Sequence, residues 1–429
     1  MKSILHKIYA SLPVSDKTRK DTIWNIIALG LYGFSAIFIS IIISSIYSPE
    51  VLGIFNLSFA TFVIASQFAG LGIHNSSLFK LSNPTITSDE QRIILSNGLI
   101  TVIIASFFTA LITYLLIPVL SYLFDSDSES ICIVYILPAI FLLPVNKVLL
   151  SFLNARSEMI KFGFANVIRA ISMFTCFGII IHFEFDYFLI PSIFSAAEFF
   201  VFIIYVYLLK DKLQVKGLKQ KIIKKHVSFG LKSLMGSIFL DINTKVDIII
   251  IGLLLSNYEV GMYTLPALII EGFQQIPLVF RNVINPKITS DFTRKGKDAL
   301  ATSINRGKSI SFKLLTPILI IIVVLFIISL FILNLEGQYK QAIYILIILA
   351  VCNIAVMGYF PFILIFNQLG LPALQSKFLF YIISSNIFFN VILIPVLGIF
   401  GAAVGTGLSY LVMLVLIRKF LRDAIHIKI

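Results

Sequence analysis

Apolar residues in this chain come in blocks of about twenty, the length that crosses a bilayer core as a helix, and nothing else constrains the fold as much. The blocks run approximately over 22–46, 52–72, 94–118, 130–150, 162–182, 188–209, 228–255, 259–281, 314–333, 341–365, 378–396 and 399–417. In hydrocarbon every backbone N–H and C=O must be bonded inside the structure, so only helices and closed barrels span. Barrel strands would be about ten residues long and would alternate; these blocks are longer and continuous. The expected fold is an all-α polytopic membrane protein with about twelve transmembrane helices. Composition agrees: 58% of residues are hydrophobic and 13% charged, a surplus that a single soluble core cannot bury.

Loop charge tests the topology. With the N-terminus inside and loops assigned alternately, all but four of the 34 Lys and Arg fall in cytoplasmic segments. The exceptions are Arg169, Lys232 and Lys245 inside apolar blocks and Lys340 in an outer loop. The outer loops carry acids instead: Glu50, Asp125, Asp127, Glu129, Glu184, Asp186, Glu259 and Glu336. Such a bias orients both termini to the cytoplasm. The longest basic run, 210–227, separates an N-terminal six-helix lobe, 1–209, from a C-terminal one, 228–429. The segment 281–313 reads as a basic cytoplasmic loop.

The same pattern removes several functions. A net charge of +13 would suit nucleic acid, but the basic residues lie where the positive-inside rule puts them, so no nucleic-acid partner is expected. Cys132, Cys176 and Cys352 lie in apolar blocks without C-x-x-C spacing, which supports neither a disulfide framework nor a zinc site. The first apolar block follows a polar stretch containing Pro13 and is too long for a signal-peptide core. No Gly-rich phosphate loop and no His motif for a metal occurs. Short outer loops leave no room for an external catalytic domain. No catalytic residue, metal or cofactor is expected, and a glycan polymerase or acyltransferase is the least favoured reading.

An internal repeat organises the blocks. Ser48-Pro49-Glu50-Val51-Leu52-Gly53-Ile54-Phe55-Asn56-Leu57 aligns without gaps with Ser256-Asn257-Tyr258-Glu259-Val260-Gly261-Met262-Tyr263-Thr264-Leu265. Each copy is a polar turn, an acid, then Gly-apolar-aromatic opening a helix. Six helices repeated in the same orientation form a parallel repeat, an architecture of transporters with substrate bound between the halves.

Two stretches carry a family likeness. One is Phe239-Leu240-Asp241-Ile242-Asn243-Thr244-Lys245-Val246-Asp247 running through an apolar stretch to Gly252, followed by Val260-Gly261-Met262-Tyr263. The other is Asn386-Ile387-Phe388-Phe389-Asn390, an apolar run to Pro395, then Gly398-Ile399-Phe400-Gly401-Ala402-Ala403. With the overall layout they resemble the Wzx-type flippases, the polysaccharide transporters of the MOP superfamily. The resemblance implies two six-helix lobes of MOP/MATE-like fold. It further implies flipping of an undecaprenyl-pyrophosphate-linked sugar unit, such as an O-antigen repeat, across the bacterial inner membrane. Expected partners are that lipid-linked oligosaccharide, membrane lipids, and a polysaccharide polymerase and chain-length regulator. Lipid II flippases are similar but usually carry fourteen helices. Multidrug and toxin extruders share the fold at greater distance, and a cation-coupled exporter is the rival reading.

Ionisable groups within a bilayer are costly and are functional candidates by default. Asp241 and Glu271 fall at similar depth, and Lys245 follows Asp241 by four residues, so a continuous helix would put both on one face. A cluster of Asp241, Lys245 and Glu271 then reads either as a neutralised structural set or as a cation facing substrate, flanked by acids that tune it or carry protons. Asp247 points elsewhere and suits the turn or a coupling ion, H+ or Na+. Arg169 lies within reach of Glu198; it reads as that acid's partner or as a diphosphate ligand, since guanidinium forks match phosphate oxygens. Asn386 and Asn390 share a helix face, to bond sugar hydroxyls or to join helices. Pro138, Pro144, Pro266 and Pro277 interrupt helices as kinks, and Gly401 and Gly405 make a small-x-x-x-small packing surface.

Overall fold

The structure, a computed structural model, describes residues 16–83, 85–124, 126–213, 219–335 and 337–427. Of the charges counted above, Lys2, Lys7, Asp125, Lys216, Glu336 and Lys428 lie outside the described residues. All regular structure among the described residues is helical. The helices are α1 (Asp16–Ile46), α2 (Pro49–Gly70), α3 (Ile73–Leu81), α4 (Ser88–Phe124), α5 (Asp127–Ala155), α6 (Met159–His182), α7 (Ser192–Leu209), α8 (Gln220–Asn243), α9 (Val246–Leu254), α10 (Asn257–Lys295), α11 (Lys297–Ile332), α12 (Lys340–Val356), α13 (Ile365–Gln368), α14 (Pro372–Leu397) and α15 (Ile399–Ile425). Nine helical segments among the described residues are long and apolar enough to cross a membrane, and all twelve apolar blocks of the sequence are helical in their greater part. The chain is an all-α polytopic membrane protein.

The repeated motif is a device for starting helices. Ser48 Oγ accepts the Val51 N–H at 3.4 Å and opens α2 with Pro49 at its first position. Ser256 and Glu259 form a reciprocal capping box at the start of α10. Each supplies acceptors for backbone donors that have no partner within the helix. Acidic residues in both first turns complement the positive helix ends.

Three expectations change. The block 228–255 is not one helix: α8 ends at Asn243 and α9 begins at Val246, with a turn at Thr244 and Lys245. Asp241 and Lys245 therefore lie on either side of a helix end and not along one continuous helix. The segment 281–313 is not a loop; α10 and α11 continue through it and meet at Gly296, whose φ of 81° suits a residue without a side chain. The connection after α2 contains α3, a short helix with too few apolar residues to form a block. The prolines are absorbed: α5 stays one helix from Asp127 to Ala155 with Pro138 and Pro144 inside, and α10 runs through Pro266 and Pro277.

The chain divides into two compact units. One contains α1 as far as Ile39 together with Leu57–Ile238; the other contains Ser40–Asn56 and Phe239 onward. The core of the first joins α3 to α7 through Ile73, Leu95, Val148, Leu149, Phe152 and Val201. Tyr205 is fully buried there, and its hydroxyl donates to the Lys161 carbonyl. In the second, α14 and α15 lie closely together: a β-carbon on Gly401 would collide with the Leu393 carbonyl oxygen. Outward faces stay apolar. Phe107, Phe108 and Leu115 of α4, and Ile320, Ile321 and Leu325 of α11, are about half-exposed. In water such patches would be an aggregation hazard; in lipid they are the solvent-facing surface. The three cysteines are free thiols.

Candidate functional site

In the first unit the charged centre is Arg169 of α6 with Glu198 of α7. Arg169 Nε donates to Glu198 Oε1 at 2.7 Å and Nη2 to Oε2 at 3.2 Å, a two-pronged pair. Asn146 of α5 closes the other side: its Nδ2 donates to Glu198 Oε2 and to the Glu198 carbonyl oxygen, both at 2.8 Å. Arg169 Nη1 also reaches Asn166 Oδ1 at 3.1 Å, and the guanidinium lies 6.0 Å from the centroid of the Tyr32 ring. Arg169 is 8% exposed and Glu198 3%. In this structure Arg169 is paired with Glu198. The pair neutralises two charges that would each cost several kcal/mol if buried alone, about.

In the second unit the break between α8 and α9 places two different sites two residues apart. Lys245 faces α10, and its Nζ donates to both carboxylate oxygens of Glu271 at 2.9 Å. Lys245 is buried, whereas the Glu271 side chain is 28% exposed. One turn further along α10, Gln274 donates to Asn353 Oδ1 at 3.0 Å and Tyr410 Oη at 2.9 Å, so α10 carries a polar strip. Of the expected trio, the structure pairs Lys245 with Glu271. Asp241 is half-buried at the end of α8, where its carbonyl oxygen accepts the Thr244 hydroxyl at 2.8 Å.

Asp247 turns the other way, into a sealed polar knot. The Tyr263 hydroxyl donates to Oδ2 at 2.7 Å and the Thr406 hydroxyl to the same oxygen at 2.6 Å. Asn390 Nδ2 donates to Oδ1 at 2.8 Å and to Asn386 Oδ1 at 2.7 Å. Asn386 Nδ2 in turn reaches Asn243 Oδ1 at 3.4 Å. Asn386 and Asn390 are thus buried against Asp247 and tie α14 to α8 and α9 instead of lining an exposed wall. Asn390 Oδ1 is buried with no hydrogen-bond partner. The knot gathers oxygen ligands from α9, α10, α14 and α15, with Asp247 in the first turn of α9, where the positive helix end favours an anion. This donor set suits a hard monovalent cation or a proton. It does not suit zinc, and no cluster of three His, Cys, Asp or Glu exists among the described residues.

Sequence reasoning had singled out every ionised member of these clusters but not Asn146, Asn166, Gln274, Asn353 or Thr406. Their one signal is a polar side chain inside an apolar block, shared by many residues that merely bond their own helix. Tyr263 was visible only as part of the repeat.

A family model described as "Polysaccharide biosynthesis protein" matches residues 18–289. A comparison of the sequence with curated proteins gives no match. Among solved structures, an inward-facing multidrug resistance MATE family transporter of the MOP superfamily aligns with a TM-score of 0.74 at 15% identity, over 95% of this chain and 94% of that one. Lipid II flippase MurJ, inward closed, aligns with a TM-score of 0.69 at 14% identity, over 94% and 88%. A MOP superfamily transporter from Pyrococcus furiosus, described as having a binding pocket of reversed polarity, aligns with a TM-score of 0.62 at 16% identity, over 95% and 94%. The fold is that of the MOP superfamily transporters.

Proposed function

This chain belongs to the polysaccharide biosynthesis protein family, and from that premise we propose that it is a flippase. Its cargo is an undecaprenyl-pyrophosphate-linked oligosaccharide repeat unit, of O-antigen or another surface polysaccharide, carried across the bacterial inner membrane by alternating access. Both termini and the basic loops face the cytoplasm. The chain moves its cargo without chemical change.

The observation that carries the reading is the break between α8 and α9. Discontinuous helices mark the substrate and coupling-ion sites of transporters, because an interrupted helix presents polar groups at membrane depth. Here one turn of backbone holds the Lys245 ammonium beside Glu271 and the Asp247 carboxylate inside its oxygen cage. A cation or proton at Asp247 neutralises the knot that ties α9 to α14 and α15. Any resulting shift of α9 moves Lys245 with it. Lys245 and Arg169 each hold a carboxylate whose place a phosphate oxygen of the cargo takes, an exchange between two charge-assisted partners. Asp247 is the coupling residue; Glu271 and Glu198 keep the two cations neutralised until cargo arrives.

The test is deletion in the native host with complementation. Loss of surface polysaccharide and accumulation of its lipid-linked unit, rescued by the wild-type gene and not by Lys245→Ala at equal expression, is the expected result. Unchanged glycans with altered drug sensitivity would favour a cation-coupled multidrug exporter on this fold. Normal surface glycan from well-expressed Lys245→Ala would remove Lys245 from the substrate path.

A further inference from the structure

The basic end of the first unit holds a second cluster that the transport reading does not use. A cavity of about 720 Å³ is lined by Lys80 with Asn75, Leu78, Phe79, Ile86 and Ile94 among others. The Lys80 Nζ atom is buried and has no hydrogen-bond partner. Burial, and to a lesser degree repulsion from the Lys225 charge of α8, hold Lys80 down at about 8. Behind them lie Ser77 and His226, both fully buried and both packed over Gly98 of α4. The Ser77 hydroxyl also lacks a partner.

The walls are fixed. Phe79 of α3 stacks on Phe229 of α8 with ring centroids 5.1 Å apart. Gly72 and Gly230 lie backbone to backbone, each where a β-carbon would strike a carbonyl oxygen of the other segment. Asn75 adds a hydrogen bond to Ser233 at 3.4 Å. The cluster is therefore a preformed cationic seat, one in which the Lys80 ammonium has no hydrogen-bonded carboxylate and the Lys225 charge adds to the positive potential.

We infer that this cavity binds the phosphate headgroup of an anionic membrane lipid, with Lys80 on the phosphate oxygens, the exposed Lys225 adding positive potential from α8, and the acyl end of the glycerol moiety against Phe79, Leu78, Ile86 and Ile94. The shape of the lining argues for lipid over soluble phosphate. Phe79 is 67% exposed beside the lysines, and α3 joins the end of one apolar span to the start of the next. The cavity thus sits at the boundary between hydrocarbon and water, where basic pockets between helices meet lipid headgroups. An occupant phosphate would supply the hydrogen-bonded counter-charge that Lys80 lacks.

The test is native mass spectrometry of the full chain released from nanodiscs of mixed phosphatidylglycerol and phosphatidylcholine. The wild type is expected to retain phosphatidylglycerol at least tenfold over phosphatidylcholine, and Lys80→Gln and Lys225→Gln each to cut that retention fivefold or more. Lys225 is exposed, so its substitution leaves packing intact and covers the case in which Lys80→Gln fails to fold. Lys377→Gln, in a different groove between α14 and α15, serves as the control and leaves retention unchanged. Equal retention by wild type and Lys225→Gln would overturn the site. Displacement of the lipid by millimolar inorganic phosphate, with phosphate retained in its place, would overturn the lipid assignment and leave a soluble anion as the ligand.

Discussion

Gly53 and Gly261 occupy equivalent positions in the two copies of the repeat, and each abuts the backbone of the other copy. A β-carbon on Gly53 would overlap the carbonyl oxygen of Asn257, and one on Gly261 would overlap that of Pro49. Asn257 and Pro49 are themselves equivalent in the repeat, so the contact is reciprocal. The starts of α2 and α10 cross at a separation that only hydrogen side chains permit.

Gly53→Ala and Gly261→Ala are each expected to destabilise the protein by about 1–3 kcal/mol, the usual range for overpacking. The double variant should lose less than the sum, because the first methyl already separates the helices. Thermal unfolding in detergent measures this; strictly additive losses would show that the two glycines do not share one contact.

Removing Glu198 strands a buried guanidinium. Glu198→Ala is expected to destabilise by about 3–5 kcal/mol, while replacing Arg169 and Glu198 together by Met should recover much of the loss. Denaturation midpoints of the three proteins decide it. A double variant as unstable as Glu198→Ala would mean that packing, and not the stranded charge, sets the penalty.

Occupancy of the Asp247 knot should appear as ion-dependent stability. If Na+ is the ligand, raising it to a hundred times its dissociation constant adds about 2.7 kcal/mol, choline at equal ionic strength adds nothing, and Asp247→Asn loses the response. A wild type indifferent to Na+ but with proton uptake on transport would assign the site to H+. Indifference to both would remove Asp247 from coupling.

His74 and His226 give a pH dependence whose sign follows from burial. Burial, with Lys147 beside His74 and Lys80 beside His226, pushes each imidazole down to about 4. The unfolded chain takes up these protons near 6.5, so between pH 6.5 and 4 it binds more protons than the folded chain and stability falls as pH falls. Unfolding midpoints against pH should show this slope, and His74→Gln with His226→Gln should flatten it. An unchanged slope in the double variant would place the acid sensitivity elsewhere.

Periodicity and length made the spans legible, because hydrocarbon forbids alternatives to a bonded helix. The break at Thr244–Lys245 was not legible: neither Pro nor Gly marks it, and polar residues there read equally well as a helix face. The ion pairs were half visible. Arg169 and Glu198 announce themselves by charge and depth, but Asn146, which locks Glu198 in place, looks like any amide in an apolar block. The Asp247 cage depends on four helices meeting, and single-chain spacing cannot supply that meeting.

The shortness of α9 has an electrical consequence. From Asp247 to the cap at Ser256 the chain covers nine residues, about 14 Å along a helix axis, against a hydrocarbon thickness of about 30 Å. In the proposed topology, a monovalent ion that reached Asp247 from the outer side would traverse about half of the membrane field. At about 2.3 kcal/mol per charge per 100 mV for the full distance, its occupancy would carry about 1.2 kcal/mol per 100 mV. The membrane voltage alone would then shift the affinity of such a coupling ion about sevenfold to eightfold per 100 mV, before any concentration gradient is counted.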